Sequence, residues 1–185
     1  MSRAAYLVSN TAPIDLAAVR TAMPPPEVLA WCDGDGAGDY QPLWALTCAL
    51  APRTIVELGT RDARSTRVVA HAAPQAALTT IDIADCSAVV PAGATFVHAD
   101  AASAFGAWRD PIDLLFVDTD PHSALQTTGW LNTWVARFAR AAAWHDSLTT
   151  PVGAALVTWL AHHPEWSGAE LGTNHGMYLM WRHTP

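Results

Sequence analysis

The sequence predicts an α/β fold: an open, mostly parallel sheet of seven strands with helices on both faces. From residue 54 onward, short β-rich runs alternate with alanine-rich stretches at helical spacing, which is typical of βαβ units. Carboxylates follow the apolar runs, at the strand ends where open α/β sheets bind ligands. Residues 172–176, with their Asn and Gly, predict a hairpin turn, so the last two strands are expected to be antiparallel.

Residues 13–50 are predicted to form helices that precede the sheet. Apolar residues recur at helical spacing in residues 13–23, and a second helix restarts at the prolines of residues 24–26, which suit a first turn. Residues 42–50 are predicted to form a third helix. Residues 33–39, rich in Gly and Asp, are predicted to be a loop. The glycine spacing there is wrong for a calcium loop, and no bidentate glutamate follows.

The elements of the sheet follow in order. Parallel strands are predicted at residues 54–58, 78–83, 95–98, 113–117 and 142–145. Helices are predicted at residues 65–73, 101–108, 125–140 and 152–162. Residues 84–94 are too few for a full helix between the second and third strands. The antiparallel pair is predicted near residues 169–171 and 177–181.

Length and composition narrow the possible functions. A chain of 185 residues with 51 % apolar and 15 % charged residues indicates one globular domain. A net charge of −7 argues against a general nucleic-acid binder, and the absence of lysine excludes lysine-dependent phosphate loops and lysine bases. No apolar run reaches the roughly 18 residues of a membrane span. Three cysteines without C-x-x-C spacing indicate reduced thiols in a cytoplasmic protein.

Every predicted parallel strand delivers a carboxylate to the same edge of the sheet. Any one of these aspartates is as readily the N-cap of the next helix, but the set as a whole favours a ligand site. Asp82 follows Glu57 by about 25 residues, near the spacing at which a carboxylate binds ribose hydroxyls in nucleotide folds. The turn between them has the single glycine Gly59, whereas a dinucleotide site needs three, which disfavours a nucleotide-binding oxidoreductase.

These motifs resemble the class I S-adenosylmethionine-dependent methyltransferases. Their first turn approaches the methionine part of the cofactor and has no pyrophosphate to bind, so one glycine is enough. The motifs "ELGTRDARST", "TTIDI", "FVDTDPH" and "WHDS" look most like the small O-methyltransferases of natural-product pathways, of the macrolide-sugar and cephalosporin type. The resemblance covers residues 40–182 and implies a Rossmann-like methyltransferase fold. It divides the chain into a helical lid segment, residues 1–40, and a cofactor-binding domain, residues 41–185.

The resemblance also implies which residues bind S-adenosylmethionine. One group would contact the methionine end, a second the ribose and adenine, and a third would cover the cofactor. In that order they are Glu57, Gly59, Thr60, Ser65 and Asp118; Asp82, Ile83, Asp100 and Ala101; and Tyr40 and Gln41.

Many enzymes of this group bind Mg²⁺ beside the transferred methyl. The implied ligands are Asp118 and Asp146, with Asp120 as a third, because a hard cation prefers oxygen ligands. Such an ion would lower the pKa of the attacking hydroxyl. His122 or His145 would accept its proton, since histidine titrates near neutral pH. His145, at the end of a buried strand, has a structural alternative, a hydrogen bond that fixes it in place.

The predicted function is methyl transfer to a hydroxyl of a small molecule, by an enzyme expected to pair as a homodimer without nucleic-acid or membrane partners. His175, in the last hairpin, is a candidate for substrate contact. Methylation of nitrogen or of a peptide is one alternative. Another is a non-catalytic scaffold or binding subunit. Ala63, in place of a second glycine, and the extra residue in "DTDPH" favour the scaffold, whereas the complete set of strand-end carboxylates favours the enzyme.

Overall fold

The structure, a computed structural model, describes residues 15–32 and 37–183. Seven strands form one sheet in the order β3-β2-β1-β4-β5-β7-β6. The first five pair in parallel, and β7 lies antiparallel between β5 and β6. The predicted seven-stranded sheet with an antiparallel end is therefore confirmed. The strands are β1 (Thr54–Leu58), β2 (Ala77–Asp82), β3 (Ala94–His98), β4 (Ile112–Val117), β5 (Ala139–His145), β6 (Trp166–Glu170) and β7 (Met177–Arg182).

Helices precede the sheet and connect most of its strands. Between β2 and β3 the described chain forms turns instead of a helix, as the short predicted connection requires. Within residues 15–32 and 37–183, no helix combines the length and apolar character that crossing a membrane requires. The helices are α1 (Leu16–Thr21), α2 (Pro26–Leu29), α3 (Ala37–Leu50), α4 (Arg64–Ala72), α5 (Ala101–Ala107), α6 (Ala124–Trp130), a π-helical turn (Leu131–Val135), α7 (Ala136–Phe138) and α8 (Thr150–Ala161).

The core has two layers because successive side chains of a strand point to opposite faces of the sheet. On β1, Ile55 packs in the layer that contains α3 and α4, and its neighbour Val56 packs in the layer that contains the π-helical turn and α8. Both side chains are fully buried. Parallel strands covered on both faces read as continuous apolar runs, which explains why β1 and β4 were visible in the sequence.

Several predicted boundaries were wrong, including the start of β6, which begins at Trp166 and not near residue 169. The helix predicted at residues 125–140 is broken into α6, the π-helical turn and α7, and β5 already begins at Ala139. The alanine-rich start of β5 has little strand propensity, but it pairs with β4 and β7, and this tertiary pairing overrides local preference. In the loop predicted at residues 33–39, residues 37–39 belong to α3; residues 33–36 lie outside the described chain.

The strand order has its switch point between β1 and β4. β1 pairs with β2 on one side and with β4 on the other, so the connections leave β1 and β4 in opposite directions. At such a switch point the loops separate and open a crevice outside the carboxyl ends of the strands. The predicted site residues lie at this edge.

Candidate active site

The turn after β1 brings its backbone close to the end of β4. Gly59 has φ +93°, and a Cβ added to it would lie 1.9 Å from the carbonyl oxygen of Asp118. Only glycine fits this position. Ala63, where the resemblance expects another glycine, has φ 59° and keeps the left-handed conformation that glycine would adopt. The turn thus has the glycine geometry at Ala63, at a backbone cost of about 1 kcal/mol.

Glu57 lies at the end of β1 and has no exposed surface. Its Oε1 accepts a hydrogen bond of 2.5 Å from the Ser65 hydroxyl, and its Oε2 accepts one of 2.6 Å from the Thr66 hydroxyl. Burial raises the pKa of Glu57 to about 7, against the lowering effect of these hydroxyls and of Thr80. Thr66 and Thr80 were missed by the sequence analysis, although Thr66 stands directly beside Ser65.

Asp82, at the end of β2, holds the first turn in place. Its Oδ2 accepts hydrogen bonds from the backbone N–H groups of Thr60 (2.7 Å) and Arg61 (3.0 Å). Its Oδ1 accepts one from Ala84 (2.8 Å). Burial raises the pKa of Asp82, but the three backbone donors outweigh it, so the net direction is downward. The Cys86 thiol also donates a hydrogen bond to this carboxylate. The neighbouring Ile83 is exposed.

The remaining candidates for cofactor binding lie in α3 and at the start of α5. Asp100 is the N-cap of α5 and accepts a hydrogen bond from the Ala102 N–H (2.8 Å), so the capping role weighed for these aspartates exists here. Ala101 is the first residue of that helix. Tyr40 is buried in α3 and stacks on His145, with ring centroids 6.1 Å apart. Gln41 is half-buried beside it.

Beyond β4 and β5, three carboxylates surround the buried ring of His145. Its Nδ1 lies 2.8 Å from Asp146 Oδ2 and 3.5 Å from Asp118 Oδ1. Its Nε2 lies 3.3 Å from Asp39 Oδ2. Burial alone would lower the pKa of His145, but the three carboxylates outweigh burial and raise it to about 12. Burial raises the pKa of Asp118, but hydrogen bonds and positive charge from His122 and His145 outweigh burial and lower this pKa well below its usual range.

His122 lies on the solvent side of the same carboxylates. Its Nε2 is 2.9 Å from Asp146 Oδ2 and 3.9 Å from Asp118 Oδ1, and its Nδ1 is 3.2 Å from Asp120 Oδ1. The nearby Asp118 carboxylate raises the pKa of His122 against burial, and the negative charges of Asp146 and Asp120 add to this effect. The side chain of Asp120 is 93 % exposed. Among the described residues, the side chains close enough to share a metal ion are Asp118, His145 and Asp146 in one group and Asp39, His145 and His175 in another, and Asp120 is in neither.

Asp39 is a site residue that the sequence analysis missed. It is fully buried and accepts hydrogen bonds from the backbone N–H (3.2 Å) and Nδ1 (2.8 Å) of His175. Burial raises the pKa of Asp39, but His145, Thr173 and His175 outweigh it and lower the pKa to about 2. The glycine-rich composition around Asp39 concealed its place in a helix. Its position beside Tyr40 and Gln41 was the available signal.

A narrow crevice with a cavity volume of only about 10 Å³ lies beside the two histidines. Its walls include Trp130 and Trp144, and the Trp130 Nε1–H donates a hydrogen bond of 3.2 Å to Thr119 Oγ1. The crevice therefore joins aromatic walls to the polar cluster, with room for about one water molecule in this conformation.

No family model matches this sequence. No curated protein matches it either. Solved structures do match its fold. One, a candidate O-methyltransferase from Klebsiella pneumoniae, has a TM-score of 0.71 and 18 % identity, over 91 % of this chain and 95 % of that chain. The O-methyltransferase from Bacillus cereus in complex with S-adenosylhomocysteine has a TM-score of 0.68 and 14 % identity, over 91 % and 96 %.

A third structure is the O-methyltransferase TomG from Streptomyces achromogenes, involved in tomaymycin synthesis and solved with S-adenosylmethionine. Its TM-score is 0.63 at 16 % identity, over 92 % of this chain and 96 % of that chain. Each of these similarities extends over nearly the whole of both chains, so no large part of the fold is left unmatched. The chain has the fold of these methyltransferases, as the sequence motifs predicted.

Proposed function

We propose that this protein transfers a methyl group from S-adenosylmethionine to a hydroxyl of a small molecule. The observation that carries the proposal is the one-glycine turn after β1, with buried Glu57 on one side and ionised Asp82 on the other. The turn lies at the switch point of the sheet, where this fold class binds ligands. Two solved proteins of the same fold, from B. cereus and S. achromogenes, bind S-adenosylhomocysteine or S-adenosylmethionine, which supports this choice of cofactor.

In the proposed complex the methionine end of the cofactor lies against the first turn, and its ribose lies against Asp82. A ribose hydroxyl would replace the Cys86 thiol as a donor to the ionised Asp82 carboxylate. The exposed Ile83 would cover the adenine. The proposed contacts are Glu57, Gly59, Thr60, Ser65 and Asp118 for the methionine end, Asp82, Ile83, Asp100 and Ala101 for the nucleoside, and Tyr40 and Gln41 for the cover.

Methyl transfer is a direct displacement, so the protein contributes mainly alignment of the oxygen, the methyl and the leaving sulfur. A base must also accept the hydroxyl proton. Both ring nitrogens of His145 face carboxylates, and its side chain is only 9 % exposed. The side chain of His122 is 29 % exposed and borders the crevice. We therefore assign the base to His122, and the anchoring of Asp118 and Asp146 to His145.

A divalent cation is the second part of the proposal. The carboxylates of Asp118 and Asp146 both lie close to Nε2 of His122, a buried nitrogen without a hydrogen-bond partner among the described residues. Two carboxylate oxygens fit Mg²⁺, and the neighbouring nitrogens fit Mn²⁺ as well. When bound there, the ion would hold the substrate oxygen and lower its pKa. Asp120, being exposed, is a peripheral third candidate.

The acceptor in this proposal is a natural-product hydroxyl, a choice supported by the role of TomG in tomaymycin synthesis. The crevice walls Trp130 and Trp144 suit a planar or sugar-like body. Residues 1–40 would act as a lid over residues 41–185, and two copies would pair. A cytoplasmic location is supported by the three cysteines, which form no disulfide among the described residues.

The test is calorimetric titration of S-adenosylhomocysteine into the purified protein, with Mg²⁺ and with a chelator. Asp82→Ala should abolish micromolar binding. Because Asp82 also holds backbone N–H groups of the first turn, Asp113→Ala is the matched control. Asp113 accepts hydrogen bonds from the backbone N–H groups of Arg53 and Thr54, at the opposite edge of the sheet. The Asp113→Ala protein should be less stable than the wild type but should bind S-adenosylhomocysteine with the same affinity.

A screen of hydroxylated acceptors follows if the ligand binds. Turnover that rises with Mg²⁺ and falls in Asp146→Asn would support the cation, and metal-independent methylation of an amine would contradict the hydroxyl acceptor. If the folded wild-type protein binds no S-adenosylhomocysteine in either buffer, the methyltransferase proposal fails. The non-catalytic scaffold subunit would then be the better interpretation.

A further inference from the structure

Asp39, His145 and His175 form a second group of ligand-type side chains beside the proposed methyl-transfer site. They come from α3, from the end of β5 and from the β6–β7 hairpin. One oxygen or nitrogen atom of each lies within 4.8 Å of the other two. The methyl-transfer proposal uses neither Asp39 nor the Nε2 atom of His145.

The Nε2 atom of His145 points toward a ligand position. An ionised carboxylate can only accept hydrogen bonds, so the 2.8 Å contact with Asp146 places the ring hydrogen on Nδ1. Nε2 is buried and has no hydrogen-bond partner within the described chain, and the residue is 8 % exposed. Metal-ligating histidines commonly donate their other ring N–H to a carboxylate. The pair Asp146–His145 has this arrangement.

Asp39 and His175 supply two further donors to the same position. Oδ1 of Asp39 is held by the backbone N–H of His175, which leaves Oδ2 facing both imidazole rings. Oδ2 lies 2.8 Å from His175 Nδ1 and 3.3 Å from His145 Nε2, and an ion bound here would displace the ring protons on these two nitrogens. Donors around a tetrahedral zinc ion are about 3.3 Å apart, so small rotations would bring these atoms to an ion. The side chain of His175 is 43 % exposed, which gives access from solvent.

We propose that Asp39 Oδ2, His145 Nε2 and His175 Nδ1 bind a divalent transition-metal ion of the borderline class that includes Zn²⁺, Co²⁺ and Fe²⁺. Two imidazoles and one carboxylate favour such ions over Mg²⁺. Asp146 orients His145 and is not a ligand here. The site lies on the Nε2 side of His145, whereas the carboxylates of Asp118 and Asp146 face its Nδ1. Binding at this site does not depend on methyltransferase activity.

The test is titration of Co²⁺ into the full-length protein after its dialysis against a chelator, followed by visible absorption. We expect a saturable d–d band at one ion per chain, with an intensity typical of four or five ligands. Excess Mg²⁺ should leave this band unchanged, because Mg²⁺ does not compete for nitrogen-rich sites.

Single-residue substitutions, with Co²⁺ affinity as the readout, show where the ion binds. His175→Ala, at a half-exposed position, should fold normally and weaken Co²⁺ binding more than about 100-fold, since second-shell changes alone cost 10–100-fold. Asp39→Asn should have the same effect, with circular dichroism as the check on folding. The controls are His162→Ala, the exposed residue that follows α8 as its C-cap, and Asp118→Asn, and both should keep the band and the affinity.

Three results would overturn the proposal. They are absence of saturable Co²⁺ binding in the wild type, unchanged affinity in a folded His175→Ala protein, and loss of binding in Asp118→Asn. The last would place the ion at the carboxylate pair on the other side of His145. None of these measurements involves the methyl donor, so their outcome is independent of the S-adenosylhomocysteine titration.

Discussion

The most unusual single residue in this chain is Glu57, a carboxyl group without solvent contact. The hydroxyls of Ser65 and Thr66 occupy its two oxygens, yet burial still dominates and raises its pKa to about 7. A carboxyl group with this pKa is partly protonated at neutral pH. The charge of the proposed methionine pocket therefore depends on pH in the range where the protein would work.

This pKa predicts a specific dependence of stability on pH. Between the ordinary pKa of 4.5 and about 7, the unfolded chain loses the Glu57 proton while the folded protein keeps it. The free energy of unfolding should therefore fall as pH rises through this window, by about 3 kcal/mol for this group, and level off above it. Below pH 4.5 the stability should no longer depend on pH through this group, since both states are protonated.

Urea denaturation of wild type and Glu57→Gln at pH 5 and pH 8 checks this prediction. The variant keeps the shape of the side chain and cannot ionise, so other titrating groups cancel in the comparison. Wild type should lose about 3 kcal/mol more than the variant between the two pH values. Parallel pH profiles for the two proteins would show that Glu57 titrates normally.

At the scale of elements, the connection from β1 to α4 depends on one close contact with β4. The carbonyl oxygen of Asp118 occupies the space that a Cβ at Gly59 would need. Gly93, in the turn before β3, has nearly the same φ (+94°, against +93° at Gly59) and nothing within 4 Å of an added Cβ. Substitutions at the two positions therefore distinguish the energetic cost of backbone strain from the cost of steric overlap.

We predict that Gly59→Ala destabilises the protein by more than about 3 kcal/mol, because strain and overlap add. Gly93→Ala should cost only about 1 kcal/mol, for the left-handed backbone alone. Thermal or urea unfolding of the two variants measures the difference. Equal losses would mean that the β1–α4 turn shifts away from β4 at little cost.

Element by element, the sequence predicted most of the sheet. β1 and β4 were predictable from their apolar runs, because strands buried on both faces have apolar side chains at successive positions. β5 was predicted three residues short, since its alanines become a strand only through pairing with β4 and β7. Asp39 and His175 are 136 residues apart in sequence, so only the folded chain shows that they meet.

At the scale of the whole molecule, an aromatic cluster closes one layer of the core. Trp134, fully buried in the π-helical turn, contacts Phe105, Trp108 and Phe138 at ring-centroid distances of 5.7 to 6.2 Å. Its Nε1–H donates a hydrogen bond of 3.2 Å to the carbonyl oxygen of Ala101. One side chain therefore connects α5 and α7 across the layer.

Trp134→Ala should lower the free energy of unfolding by about 3–5 kcal/mol, the usual cost of deleting a buried aromatic side chain. Leu125→Ala, at a position 87 % exposed on α6, should change it by less than about 0.5 kcal/mol. Equilibrium urea denaturation of both variants provides the measurement. A small loss in Trp134→Ala would mean that the neighbouring rings collapse into the space.

The order β5-β7-β6 also affects how the chain folds while it is being synthesised. β6 is made before β7, yet its pairing in the sheet is with β7 alone. Until Met177–Arg182 has left the ribosome, β5 has an open edge and β6 has no partner. A ribosome that stalls before Met177 would thus present an unpaired hydrophobic edge to chaperones and to neighbouring nascent chains.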